Sequence, residues 1–194
     1  MLFDSLAGGT GGRTGSMTPM YTNDDSTFRK KTFGSFTLLP SKHFNGHMLS
    51  PYNSVLNFDA GDRSRFVDWR VMYDNDALRR ICIEQLQIES PNLHSLNKVM
   101  AQSVYAVMDQ FSGSPTATCM SQISQNLCFW PPLKYLTPSF YPFVPEDKQH
   151  QDKQTAGKLL ISALDCQKGY MRSAKAPGKH LGCTLFYRGD VQPS

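Results

Sequence analysis

The sequence predicts an all-β protein, an eight-stranded antiparallel sandwich with one or two short helices in its loops. Three observations predict it. From Thr32 onward, short runs of β-branched and aromatic residues are punctuated by Pro, Gly, Asn and Asp, the texture of a sandwich or barrel. In the last run, Leu181, Cys183, Leu185 and Tyr187 alternate with Gly182, Thr184, Phe186 and Arg188, giving one apolar face at period two. No internal repeat appears at a solenoid or propeller period.

Residues 1–31 are rich in Gly, Ser, Thr and Asp and end in FRKK. They are predicted as a flexible glycine-rich arm, and residues 32–194 as the sandwich domain. Strands are predicted at TFGSFTLL (Thr32 to Leu39), SVLNFD (Ser54 to Asp59), RRICIEQLQIE (Arg79 to Glu89), KVMAQSVYAVMD (Lys98 to Asp109), LCFWPPLKYL (Leu127 to Leu136), KLLISALD (Lys158 to Asp165) and HLGCTLFYR (His180 to Arg188). In the third of these, Ile81 and Ile83 sit at odd positions but Leu86 and Ile88 at even ones, which predicts a β-bulge near Glu84-Gln85 or a strand burying opposite faces in its two halves. Two helices are predicted between strands. In SPTATCMSQISQNL, Ser114 caps, Pro115 suits the first turn, and Met120, Ile123 and Leu127 form one face. In DRSRFVDWRVMY, Phe66, Trp69 and Tyr73 fall on one side.

At 194 residues and 21.8 kDa, one core suffices. Twenty basic against sixteen acidic residues leave a charge of +4, which permits contact with nucleic acid without demanding it. The first twelve residues lack the basic flank and apolar run of a secretory signal, and no stretch is long and apolar enough to span a bilayer, so a soluble protein made in a cytosol is expected, with no membrane insertion. Five cysteines, an odd number scattered through apolar runs, are expected as buried free thiols.

Each candidate site has a plain alternative. Ala7 to Thr14, AGGTGGRT, comes near a phosphate-cradling loop, but Arg13 replaces its lysine and MLFDSL reads as too short and polar for the strand such a loop needs. A flexible glycine arm is the preferred reading. His43 and His47 have helical metal spacing, yet Asn45-Gly46 between them favours a turn, so neither metal nor cofactor is expected. No serine elbow or Cys-His motif appears, and no catalytic residue is assigned; the protein reads as a non-enzyme. Arg13, Arg29, Lys30 and Lys31 on the arm, with Arg79 and Arg80, are candidate nucleic-acid contacts. Lys168, Arg172, Lys175 and Lys179 form a basic loop without an acid. Trp130, Tyr135, Phe140, Tyr141 and Phe143 are candidate subunit contacts. Arg188-Gly189-Asp190 matches an adhesion tripeptide but reads better as the end of the last strand.

In NSVLNFDAGDRSRFVDWRVMYDNDALRRICIEQLQIES, KVMAQSVYAVMDQFSGSPT, CFWPPLKYLTPSFYP and HLGCTLFYRGD, the order of features resembles the single jelly-roll capsid proteins of small icosahedral viruses, above all circovirus-like viruses with circular single-stranded DNA. The matching positions include Tyr73-Asp74, Arg80 to Ile88 and Asp109. The resemblance implies a virion protein that self-assembles into an icosahedral, T=1-like homo-oligomer around single-stranded viral nucleic acid, with a host cell-surface receptor as a further partner and assembly in the host cell, in its nucleus. The alternative is a non-viral jelly-roll or lectin-like binding module.

Overall fold

The computed structural model describes residues 1–8, 31–41, 47–63, 67–111, 119–130, 132–145, 155–165, 168–171 and 180–189. Among the described residues four strands, β1 (Leu2–Ser5), β2 (Gly34–Leu39), β3 (Trp69–Asp74) and β4 (Tyr135–Leu136), lie in one sheet in the order β1-β2-β3-β4. Every pairing is parallel. Parallel neighbours need crossover connections, which helices usually supply. The fold class is therefore α/β, and the predicted antiparallel jelly-roll sandwich is overturned.

The helices occupy stretches predicted as strands. Helix α1 (Ser50–Arg63) takes SVLNFD, α2 (Asn75–Glu84) takes most of RRICIEQLQIE, α3 (Leu93–Asp109) takes KVMAQSVYAVMD, and α5 (Ala156–Leu164) takes KLLISALD. Helix α4 (Met120–Leu127) lies inside the predicted SPTATCMSQISQNL helix and buries Ile123, while Ser114 and Pro115 fall outside the described residues. The other predicted helix is β3 from Trp69 on.

Local chemistry explains the helices. Asp74 keeps an extended backbone and accepts the N–H of Asp76 at 2.9 Å, capping α2. Ala77, Leu78, Ile81 and Cys82 then bury one stripe, the i, i+1, i+4, i+5 pattern of a helix face. The parity change after Ile83 is the end of that helix: Gln85 is the C-cap and Gln87 turns the chain at φ 57. Asn92 caps α3 by accepting the N–H of Ser95 at 2.9 Å, and Leu96, Val99 and Ser103 form its buried stripe.

Trp69, Val71 and Tyr73 of β3 and Phe36 of β2 share one side of the sheet, and with Leu78, Ile81, Cys82, Leu96, Val99, Ile123, Phe143 and Tyr170 they make the core. Phe36 meets Trp69 edge-on at 5.9 Å, and Tyr73 meets Tyr170 edge-on at 5.5 Å. The chain after β4 is tied to β3 by the Asp74 N–H donating to Tyr170 O. On the opposite side lie Arg70 and Tyr135, which are register partners. Helix α1 touches this side where Phe58 stacks on Tyr135 at 5.5 Å.

Cys82 is buried as expected, but Cys119 and Cys183 are exposed and Cys128 is half-buried, which corrects the reading of buried thiols throughout. Leu2–Ser5, within the stretch read as an arm, form β1. No helix among the described residues is long and apolar enough to cross a membrane.

Candidate functional site

Ligands of open parallel sheets bind outside the carboxyl ends of the strands, where backbone groups and helix N-termini converge. Among the described residues four strands end on that side, and the segments after β1, β2 and β3 carry the polar groups that matter here. After β1 come Leu6, buried, then Ala7 and Gly8, where the glycine-rich run begins; Gly9, Thr10, Gly11 and Gly12 continue it in sequence beyond the described residues. After β2 comes Ser41, 2% exposed, whose hydroxyl donates to Asp76 Oδ1. β3 ends at Asp74, and Asn75 and Asp76 follow at the start of α2, all three half-buried. Asn57 of α1 donates to Leu6 O at 2.7 Å, fixing the exit of β1.

The chemistry divides across this end. The N-terminus of α2 would attract an anion, but the Asp74 and Asp76 carboxylates already crowd it, so this side suits hydroxyl and amide donors. Asn75, carrying both a donor and an acceptor, sits between them. On the β1 side the sequence from Ala7 to Gly12 holds no carboxylate and only small residues, the kind whose backbone can approach a phosphate closely. One side is thus suited to a sugar and base, the other to phosphates.

Ser41, Asn75 and Asp76 were not singled out by sequence reasoning. For Asn75 and Asp76 the signal was the preceding strand β3, hidden because it was read as a helix; Ser41 follows β2, which was read as a strand, but no local motif marks it. The glycine run was noticed, but MLFDSL was judged unfit as its strand. That judgement is corrected: Leu2–Ser5 pair with Ser35–Leu38 in register.

The other candidate residues scatter. Arg13, Arg29 and Lys30 lie outside the described residues, and Lys31 is exposed. Arg79 and Arg80 are half-buried on α2, and Nε and Nη2 of Arg80 are buried without a hydrogen-bond partner. Lys168 lies over the Tyr141 ring at 5.6 Å, while Arg172, Lys175 and Lys179 lie outside the described residues. Trp130 is 60% exposed; Tyr135 is in β4, and Phe140 packs on Phe143, which belongs to the core.

Arg188 bonds Asp109 at 3.2 Å and lies over Tyr105. Gly189 has φ +120, and Asp190 is outside the described residues. The segment 180–188 before them, predicted as the closing strand, carries no strand pairing among the described residues and is exposed throughout. His47 is exposed and His43 lies outside the described residues; no group of three metal-ligating side chains occurs among the described residues. The Cys119 thiol, exposed at the start of α4, is held below its usual range by the Ser121 hydroxyl at 3.1 Å and by backbone N–H groups.

No protein-family model matches the chain. Across 195 aligned positions it is 27% identical to the tubulin alpha-3 chain of Zea mays, an alignment that takes in 100% of this chain and 42% of that one. This finding and the parallel sheet overturn the resemblance to circovirus-like capsid proteins and all that it implied: the icosahedral shell, viral nucleic acid, a host receptor, and residence in a virion or nucleus. The lectin-like module loses its support with the jelly roll. The distant similarity to a tubulin chain runs loosely against the non-enzyme reading. Over its whole length the chain is similar to a tubulin alpha chain, and it spans less than half of that protein.

Proposed function

We propose that the chain is a nucleotide-binding segment of a tubulin-like cytoskeletal protein. The phosphates of a guanine nucleoside triphosphate lie against the glycine-rich run after β1, the sugar and base lie beside Asn75 and Asp76, and occupancy governs assembly into filaments in the cytoplasm. One observation carries this reading: a glycine-rich run leaves the carboxyl end of a parallel strand in a chain similar to a tubulin from end to end. Turnover of the nucleotide belongs to the same proposal, without a residue assigned to it.

Saturation-transfer NMR of GTP and ATP with the 194-residue chain tests the reading, since it detects millimolar binding. GTP protons should receive saturation more strongly than ATP protons, and Asn75→Ala should weaken the GTP signal several-fold. Equal signals for both nucleotides, or none for GTP, would overturn it.

A further inference from the structure

Helix α1 has two unlike faces. Asn57 and Phe58 turn toward the sheet, where Asn57 donates to Leu6 O at 2.7 Å and Phe58 stacks on Tyr135. Tyr52, Val55, Leu56 and Asp59 recur at i, i+3, i+4 and i+7, so they form a stripe on the face turned away from it. The stripe continues into the turn before the helix. Asn53 N–H donates to Leu49 O at 3.0 Å, which sets Leu49 and its neighbour Met48 about one helical turn behind Tyr52.

A helix on a sheet ordinarily keeps its outer face polar. On α1 the outer face is mostly apolar: Met48 is 91% exposed, and Leu49, Tyr52, Val55 and Leu56 are each between 64% and 70% exposed. Together these side chains present on the order of 700 Å² of surface, more than the largest apolar patch of an ordinary monomer and close to the ~800 Å² that each partner gives to a standard interface.

We propose that this face pairs two copies of the chain, α1 crossing α1 antiparallel about a two-fold axis. The stripe is complementary to itself in that arrangement. With the axis between Val55 and Leu56, Val55 of each copy meets Leu56 of the other, and Tyr52 of each meets Asp59 of the other, so the Tyr52 hydroxyl donates to the carboxylate that interrupts the stripe. A lipid surface fits less well, because Asp59 would be carried into an anionic headgroup layer. An isologous contact closes at two copies. It is therefore separate from filament assembly, and it does not rest on the nucleotide reading.

Light scattering of the full 194-residue chain should show a monomer–dimer equilibrium with its midpoint at about 10 µM. Hydroxyl-radical labelling of Met48, Tyr52 and Leu56 should fall several-fold as the chain passes from monomer to dimer. Val55→Lys and Leu56→Glu should each give a monomer with unchanged circular dichroism, since both positions are exposed on α1. An equimolar mixture of the two variants should recover the dimer, because the axis sets one substituted position against the other. A monomer at every concentration up to about 200 µM, a dimer that both folded variants leave intact, or a mixture that stays monomeric would overturn the pairing. So would an open series of larger species, which requires a head-to-tail contact, and so would labelling that stays low in the dilute monomer, which would mean that another part of the chain covers the stripe. Should either variant fail to fold, the labelling of the unsubstituted chain decides the matter.

Discussion

Gly34 and Trp69 are register partners on β2 and β3, and the indole lies where a Cβ on Gly34 would sit, within 2.1 Å of Cζ2. Gly34→Ala should therefore displace a fully buried ring and lower stability by about 1–3 kcal/mol, read as a drop in urea midpoint. Tyr73 and Tyr170 make a second residue-scale prediction. Burial pushes the Tyr73 hydroxyl up to about 12, partly offset by its 3.0 Å bond with Ser103, and pushes Tyr170 higher still, with the Tyr73 charge adding to the effect. The unfolded chain loses these protons near pH 10 while the folded chain keeps them. Stability should be intact below about pH 10 and fall above it toward pH 12, by up to about 1.4 kcal/mol per pH unit for each tyrosine. Urea titrations at pH 9 and 11 check this, and Tyr73→Phe should make the decline shallower. Arg70 and Asp4 form a third pair, 3.9 Å apart with side chains only 5% and 8% exposed, in which Arg70 Nε and Asp4 Oδ1 lack hydrogen bonds. Asp4→Leu alone leaves a buried cation and should cost about 3–5 kcal/mol, whereas Asp4→Leu with Arg70→Met should recover most of it.

At the scale of the element, Asn92 decides where α3 begins, accepting from both the N–H and the hydroxyl of Ser95. Asn92→Ala should cost about 1 kcal/mol and expose the first-turn amides to faster hydrogen exchange. The errors of sequence reading also live here. Trp69 and Tyr73, four residues apart, share a side in a strand as well as in a helix, so their spacing could not separate the two. RRICIEQLQIE is rich in Ile, and α1 exposes Tyr52, Val55, Leu56 and Phe58, so a short apolar run in it looks like a strand. What set the bounds of α2 and α3 were caps and turns at Asp74 and Asn92, outside the apolar runs, and at Gln87, near the end of one.

At the scale of the molecule, a parallel sheet buries its strands on both faces, so they read as apolar runs without alternation. That is why β2 was found as a strand but its partners were not. The segment 180–188, with the strongest alternation in the chain, has no strand partner among the described residues. Far-UV circular dichroism of the purified chain should be dominated by its helices, as expected of an α/β protein, and a spectrum of sheet without helix would contradict the fold.

By itself the sequence determined the local pieces: the β2 strand, the α4 helix from Met120 on, and the glycine run after Leu6. Each is set by neighbouring residues through capping, side-chain period or backbone freedom. Only the tertiary structure decided that Leu2–Ser5 is a strand, that Trp69–Asp74 is another, and that Ser41 and Asp76 meet. Four residues cannot hold a strand without the ladder that β2 offers, and the parallel ladders join residues far apart in sequence, Leu2 with Ser35, Gly34 with Trp69 and Arg70 with Tyr135, separations that no local pattern encodes.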